Sequence, residues 1–155
     1  MQSSLVDILS SLLTPLIALL ALYIAFQQYQ INRRRLKFDT YERKLAMYKI
    51  VNQYFLEIQR DGHTNFVRCS DFYSSVSEVF FLFSESIQKA IDEVYTKSID
   101  MITLYEQLYP RDGSDGLAVG EERTKISHQN SQLLKWHLNK FKEIKELFRK
   151  EMAIK

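Results

Sequence analysis

Residues 8–26 read ILSSLLTPLIALLALYIAF, a run of nineteen residues without a charged side chain. As a helix that rises 1.5 Å per residue, this run is about 28 Å long, close to the roughly 30 Å hydrocarbon core of a bilayer. Tyr23 and Phe26 stand near its C-terminal end, where aromatic side chains are typical of a membrane interface. The stretch from Ile8 to Phe26 therefore predicts a transmembrane helix on which the rest of the fold is built.

Basic residues follow this run, and none precedes it. Arg33, Arg34, Arg35 and Lys37 come shortly after it, whereas residues 1–7 contain no Lys or Arg. A secretory signal peptide has the reverse order, and positive charges mark the cytoplasmic side of a span. We therefore expect an uncleaved single-pass anchor whose N-terminus faces outward. The four basic side chains are expected to set this topology and to contact anionic lipid headgroups.

Pro15 interrupts the backbone hydrogen bonds of this helix, because it has no N–H to donate to the carbonyl of Ser11. Ser10, Ser11 and Thr14 can satisfy the groups that are freed. The resulting bend is either tolerated without a functional role, or it is a weak point in the helix at which a bundle of such helices opens. A third interpretation begins the regular helix at Pro15, which leaves too few apolar residues before Gln27 to span a membrane.

The remaining residues have the composition of one small helical domain. Of the 155 residues, 46% are apolar and 13% aromatic, and there are only four Gly and two Pro. Such a chain can bury a core, and it has too few turn residues for a β-rich fold. The single cysteine, Cys69, excludes an internal disulfide and is interpreted as buried filler.

The spacing of apolar residues predicts an all-α chain in which the anchor continues into a bundle of about four helices. No Pro or Gly occurs from Leu16 to Asp61, so the first helix is expected to run to about Arg60, with Gly62 as its stop. The other helices are predicted from Thr64 or Asn65 to about Phe83, from Ser84–Glu85 to Tyr109 before Pro110, and from Glu121 to near the C-terminus. The domains are then an anchor and collar at 1–32 and a cytoplasmic helical domain at 33–155.

Apolar positions on the first helix form two neighbouring stripes, which are Phe38, Tyr41, Leu45, Tyr48 and Phe55, and Met47, Ile50, Val51, Tyr54 and Ile58. A face this wide is more typical of a domain core than of a coiled-coil seam. Asn52 occupies the intervening position within the first stripe, between Tyr48 and Phe55, and a polar residue at such a position can set the register of a homo-oligomer. Self-association therefore stays open.

Charge is segregated along the chain although the net charge is only +2. Residues 33–49 carry a net charge of +5, residues 57–115 a net charge of −6, and residues 121–155 a net charge of +4. One interpretation is that basic and acidic elements pack side by side or form solvated faces. The other is that the two basic segments build a site for an anionic lipid, a nucleotide or a nucleic acid.

No catalytic or metal-binding pattern is present in the sequence. His128 and His137 are nine residues apart, which is not the spacing of a helical metal pair, and His63 adjoins a predicted turn at Gly62. No serine lies in a Gly-x-Ser-x-Gly elbow. The loop at 110–120, PRDGSDGLAVG, has neither a following Lys-Ser pair nor the spacing of a dinucleotide site. We expect no enzyme activity, no metal and no cofactor.

The segment 125–142 is the candidate ligand-binding face. Its basic residues alternate with amide, imidazole and indole side chains and with no acid. Such a face can hold a phosphate and stack on a base, although a solvated helix face is the alternative. The predicted ligand-binding residues are Lys125, His128, Asn130, Lys135, Trp136, His137 and Lys140. Duplex DNA is not an expected partner, because helices that read it usually carry more arginine.

Three stretches carry a resemblance, namely IAFQQYQINRRRLKFDTYERKLAMYKI (24–50), FFLFSESIQKAIDEVYTK (80–97) and VGEERTKISHQNSQLLKWHLNKFKEIKELF (119–148). They resemble a group of small bacterial membrane proteins with one N-terminal span, a tyrosine- and glutamine-rich exit and a helical cytoplasmic domain. The resemblance implies a helical fold and a bacterial inner-membrane location. It implies no activity, so no functional residue is carried over.

These observations together predict a membrane-anchored, non-enzymatic module that self-associates and senses a ligand. Its architecture is similar to that of nucleotide-gated membrane effectors of CRISPR and related antiviral systems. In that hypothesis a cyclic nucleotide binds the basic, aromatic face and perturbs the span. The alternative is a passive scaffold that holds a protein partner at the membrane.

Overall fold

The structure is a computed structural model that describes residues 2–111 and 113–153, with side chains described at residue 13 and over 15–111 and 113–153. The described residues are all-helical, and 85% of the chain is helix. The helices are α1 (Gln2–Asp61), α2 (Phe66–Ser75), α3 (Val79–Leu82), α4 (Glu85–Leu108) and α5 (Glu121–Met152). The prediction of an all-α chain with four main helices is confirmed, and α3 is a single additional turn.

The prediction of a transmembrane helix over residues 8–26 is wrong. Among the residues whose side chains are described, no helix carries a stretch long and apolar enough to cross a membrane; Ile8 lies outside those residues. Residues 8–12 and 14 of the predicted span lie outside the residues whose side chains are described, and the described part of the run gives way to the polar Gln27, Gln28, Gln30 and Asn32. The predicted single-pass location in the inner membrane required this helix and is therefore also contradicted. The predicted fold class, a transmembrane helix that continues into a cytoplasmic bundle, is contradicted for the same reason.

The chain divides into two compact units, Met1–Tyr41 and Glu42–Lys155, here called the N-terminal unit and the bundle unit. Every described side chain from residue 13 to residue 40 is exposed, including Tyr23 and Phe26. Arg33, Arg34, Arg35 and Lys37 are also exposed. Their predicted topological role required a span and is withdrawn.

Helix α1 passes through Pro15 and ends where the sequence predicts. Gly62 follows the helix with a φ of 72°, and its N–H donates to the carbonyl of Ile58 at 2.8 Å. A residue without Cβ adopts this left-handed conformation at little cost, which is why glycine commonly terminates helices.

Helix α2 begins with a side-chain cap and is shorter than predicted. The side chain of Asn65 accepts a hydrogen bond from the N–H of Arg68 at 3.0 Å, which satisfies one of the unpaired donors of the first turn. The helix ends at Ser75 instead of reaching Phe83. The segment at 74–77, SSVS, contains three serines, whose hydroxyl groups compete for backbone partners and weaken helix continuation.

The core of the bundle unit is formed by the second of the two α1 stripes. Met47, Val51, Tyr54 and Ile58 are buried, together with Phe55, whereas Phe38 of the first stripe is 61% exposed in the N-terminal unit. The remaining core positions are Phe72, Val76, Val79, Phe83, Ile87, Ala90, Ile91, Val94, Met101, Phe141, Ile144 and Phe148. Helix α4 packs mainly against α5 and also approaches α2 and α3, so α4 positions the surfaces described below.

Candidate functional site

Three polar side chains from three helices meet inside the bundle unit. The Tyr54 hydroxyl of α1 donates to Ser98 Oγ of α4 at 2.8 Å, and Ser98 Oγ lies 3.1 Å from His137 Nε2 of α5. His137 Nδ1 lies 2.8 Å from the carbonyl oxygen of Leu133. Because a carbonyl oxygen only accepts, Nδ1 carries the proton, and Nε2 accepts from Ser98.

Burial determines what this cluster can do. Ser98 and His137 are fully buried, and Tyr54 is 4% exposed. Burial lowers the pKa of His137 and raises the pKa of the Tyr54 phenol, so both groups are held in their neutral forms. A serine hydroxyl bonded to a histidine is also found in hydrolases, but this pair has no exposed surface for a substrate. Its role is to join α1, α4 and α5.

The predicted ligand-binding residues of α5 lie on two different faces of that helix. Lys125, His128 and Lys135 are exposed, whereas His137 faces the core. Asn130 is half-buried, and its Oδ1 has no hydrogen-bond partner among the described residues. His137 shares its spacing with buried Phe141 and Ile144, at intervals of four and seven residues, which places all three on one side of the helix.

Lys140 lies at the edge of the predicted face and is engaged in ion pairs. Its Nζ lies 2.6 Å from Glu93 of α4 and 3.0 Å from Glu143 of α5, and its side chain is 11% exposed. Burial opposes the charged form, but the two carboxylates outweigh this and raise the pKa of Lys140. Nζ also lies 5.9 Å from the centre of the Trp136 ring, within the range of a cation–π interaction. Lys140 therefore holds α4, α5 and the indole in place.

Trp136 lines a groove of about 540 Å³ on the bundle unit. This α4–α5 groove is lined by Lys97, Asp100, Thr103 and Leu104 of α4 and by Gln129, Gln132, Leu133 and Trp136 of α5. Lys97 Nζ lies 3.0 Å from Asp100 Oδ2 across one helical turn. The His137 ring meets the Trp136 ring edge-on, with centroids 5.0 Å apart, and so supports the indole from the core side.

The α4 half of this groove was missed by the sequence analysis. Lys97, Asp100 and Leu104 follow three- and four-residue spacing, which shows that they share one side of α4. Nothing in that spacing indicates which helix packs beside them. The groove offers an aromatic face, two leucine side chains, amide groups, a hydroxyl, and an ammonium group paired with a carboxylate, which suit binding by stacking and hydrogen bonds.

A second opening in the bundle unit lies beside His63. It holds about 530 Å³ and is lined by residues of the loop after α1, the start of α2 and the C-terminal part of α4. Across the part of the chain that is described, no group of three or more His, Cys, Asp or Glu side chains is arranged to hold a metal ion. Cys69 is buried, and burial raises the pKa of its thiol.

Comparison of this chain with protein-family models, curated proteins and solved structures found no match. The functional proposals therefore depend on the geometry of its own residues.

Proposed function

We propose that the bundle unit is a non-enzymatic module that senses a nucleotide, and that the α4–α5 groove is its binding site. The observation that carries this proposal is the position of Trp136, half-buried in a groove that it lines together with Leu104, Leu133 and several polar side chains. A half-buried indole that lines an open groove suits stacking on a planar base, which contributes about 1–3 kcal/mol per base.

The groups around the indole suit the rest of a nucleotide. Gln129 presents an amide that both donates and accepts, as the edge of a base requires. Gln132 presents its amide oxygen, since its Nε2 lies 3.0 Å from His128 Nε2. Lys97 supplies an ammonium group for a phosphate. Its ion pair with Asp100 is solvent-exposed, and such pairs contribute only about 0–1 kcal/mol, so a phosphate competes with it at small cost.

Helix α5 also carries exposed positive charge outside the groove lining. Lys125 and Lys135 are exposed on this helix, and no ion pair is found for either among the described residues. They raise the local concentration of an anionic ligand. Cyclic nucleotides and cyclic oligonucleotides are a ligand class that offers a planar base for stacking with only one phosphodiester charge per base.

Sensing follows from the fact that the groove is shared by two helices. A ligand that contacts both α4 and α5 stabilises their packed arrangement by an amount that grows with ligand concentration over its dissociation constant. We do not propose that the ligand perturbs a membrane span, because no spanning helix is found in the described residues.

A thermal-shift screen of the full chain against cyclic mono-, di- and trinucleotides tests the proposal. We expect at least one nucleotide to raise the melting temperature, and the shift to be lost in Gln132→Glu, which places a negative charge in the groove. Gln132→Lys is the matched variant at the same exposed position, and it should keep or increase the shift. At a nucleotide concentration about 100-fold above a micromolar Kd, binding stabilises the folded state by roughly 2.7 kcal/mol. The absence of a shift with every nucleotide at that concentration contradicts the proposal.

A scaffold that acts by self-association is the second candidate, and the N-terminal unit favours it. The exposed apolar side chains between residues 13 and 26 are Leu13, Leu16, Ile17, Leu19, Leu20, Leu22, Tyr23, Ile24 and Phe26, each 53–69% exposed. Exposed apolar patches mark interaction surfaces. Residues 15–32 carry no charge, so identical copies of this stretch do not repel each other.

Light scattering coupled to size-exclusion chromatography separates this candidate from a monomeric sensor. We expect the full chain to elute as an oligomer and Leu20→Glu to dissociate it, because a carboxylate in an apolar interface is strongly unfavourable. Gln27→Glu adds the same charge at an exposed position outside the apolar run and should leave the oligomer intact. A monomeric parent chain contradicts self-association.

A further inference from the structure

The basic residues that follow the apolar run of α1 are not used by the proposed function. Arg33, Arg34 and Lys37 are exposed, and none of them forms an ion pair with a residue whose side chain is described. Like charges on neighbouring turns of one helix repel each other, and a polyanion relieves that repulsion. These side chains therefore form a candidate surface for an anionic partner.

Helical spacing places the three cations on one side of α1, between two aromatic rings. Successive residues of a helix are rotated by about 100° around its axis. Tyr29 and Phe38 then stand at the two margins of the cationic side, and they are 63% and 61% exposed. In order around the helix, the side chains of this 29–38 face are Tyr29, Arg33, Lys37, Gln30, Arg34 and Phe38.

The opposite side of the same turns is polar and contains the nearest acid. It carries Gln28, Asn32, Arg35 and Asp39. Asp39 follows Arg35 by one turn, so its charge lies away from the 29–38 face. A helix that lies on a membrane surface buries an apolar side in the lipid, and no apolar side stands opposite these cations. The arrangement therefore does not favour a lipid surface as the partner.

The chemistry of the 29–38 face matches that of an unpaired nucleic-acid strand. Arginine and lysine side chains bind the phosphates and release counterions. Exposed aromatic rings stack on bases, and they do so with little sequence preference because every base has a flat face. In a duplex the bases are already stacked on one another, so Tyr29 and Phe38 gain a stacking partner only from a single strand.

We propose that the 29–38 face binds single-stranded nucleic acid, with its three cations on phosphates and its two rings stacked on bases. The Gln30 amide lies between the cations and donates to a phosphate or to a base edge. This site lies on α1, whereas the nucleotide groove is lined by α4 and α5. The two proposals are therefore independent of each other.

Fluorescence anisotropy of the full chain with a labelled oligothymidylate of about 15 nucleotides tests the proposal. We expect saturable binding, with a slope of log affinity against log salt concentration of about −2, because three phosphate contacts contribute about 0.7 each. The same strand annealed to its complement should bind more weakly. Absence of saturable binding at about 0.1 M salt overturns the proposal, and so does equally tight binding of the duplex.

Two adjacent arginines provide a matched pair of variants, because both are exposed and only one lies on the 29–38 face. Arg34→Gln should weaken binding of the oligothymidylate about tenfold through loss of a phosphate contact and should reduce the salt slope by about 0.7. Arg35→Gln makes the same change in charge on the opposite side and should weaken binding less than about twofold. Equal losses for the two variants mean that the chain attracts polyanions without a defined face, which overturns the proposal.

The stacking contribution and the identity of the site are tested separately. Phe38→Leu should weaken binding about tenfold and leave the salt slope unchanged, and an unchanged affinity overturns the proposal. Lys97→Met should bind the strand as the parent chain does, since a loss of binding would place the strand in the α4–α5 groove instead. Phosphatidylserine vesicles with the same concentration of negative charge should not displace the strand. Displacement would make an anionic lipid surface the better partner and overturn the proposal.

Discussion

Ser98 Oγ lies 3.1 Å from His137 Nε2, at a fully buried contact between α4 and α5. The same hydroxyl accepts a hydrogen bond from Tyr54 of α1. One small side chain thus satisfies buried polar groups on two other helices. A shift of α5 along α4 breaks this contact, so the cluster specifies how the helices that line the groove are aligned.

Removing the central hydroxyl should cost more stability than removing the outer one. Ser98→Ala leaves both the Tyr54 hydroxyl and His137 Nε2 without a partner, and we expect a loss of about 3 kcal/mol. Tyr54→Phe removes one donor and leaves Ser98 bonded to His137, which should cost about 1 kcal/mol. Urea unfolding measures both values. Ser131→Ala on exposed α5 surface is the control, and equal losses for Ser98→Ala and Tyr54→Phe would show that Ser98 is not the centre of the cluster.

Stability should fall as the pH drops below the normal pKa of histidine, because His137 is buried in its neutral form. Burial, with a smaller effect from Lys97, lowers the pKa of His137 in the folded state. Between that value and about 6.5, the unfolded chain binds a proton that the folded chain does not, so the slope approaches about 1.4 kcal/mol per pH unit. Above about pH 7 this contribution no longer changes with pH.

Comparison with His137→Gln isolates this effect. The free energy of unfolding is measured from pH 5 to pH 7.5, and the variant should lose most of the slope. The salt-bridged Asp61, whose pKa is lowered mainly by hydrogen bonds from Arg60 and Arg68, affects stability only at more acidic pH. His63 and His128 are present in both proteins. Identical slopes for parent and variant would mean that His137 is protonated inside the folded chain.

Lys140 should matter for folding more than for direct contact with a ligand. Lys140→Met keeps the apolar stem but removes the charge that joins Glu93 to Glu143, and we expect a loss of about 1–2 kcal/mol. Lys142→Met changes an exposed lysine two residues away and should change stability by less than about 0.5 kcal/mol. Glu93→Gln tests the pairing, since the loss in the double variant should be smaller than the sum of the single losses. Additive losses would exclude an energetic coupling between Lys140 and Glu93.

Gly62 is required by the backbone turn after α1 and not by lack of space. No atom lies within 4 Å of the position that a Cβ would take, and the φ angle is 72°. Gly62→Ala should therefore cost about 1–2 kcal/mol through strain alone. Gly120→Ala, at a φ of 172° before α5, requires no left-handed conformation and should be nearly neutral. Equal thermal stabilities for the two variants would contradict this explanation of the α1 terminus.

The helices could be predicted because their signals are local. Gly62, Asn65 and Pro110 mark helix ends by their own backbone and capping chemistry, and the spacing of Ile87, Ile91 and Val94 identifies the buried side of α4. The failed membrane span shows the limit of that approach. Apolar character and length were counted over 8–26, whereas no helix of the described residues carries a stretch long and apolar enough to span.

The site was only partly predictable, because it depends on which faces of the helices meet. Trp136 was identified by its residue type and lies in the groove. His137 was grouped with it because imidazole is polar, although its spacing to Phe141 and Ile144 places it in the core. Lys97 was not singled out, since its place in the groove arises only when α5 packs beside α4.

A tryptophan fluorescence titration tests the proposed nucleotide site most directly, because Trp136 is the only tryptophan in the chain. Cyclic mono-, di- and trinucleotides are added to the full chain, to Lys97→Met and to Lys142→Met. The proposal predicts saturable quenching of Trp136 by at least one nucleotide, with affinity reduced about tenfold in Lys97→Met through loss of a phosphate contact and unchanged in Lys142→Met. Absence of saturable quenching with every nucleotide, or equal affinities for the two lysine variants, would contradict it.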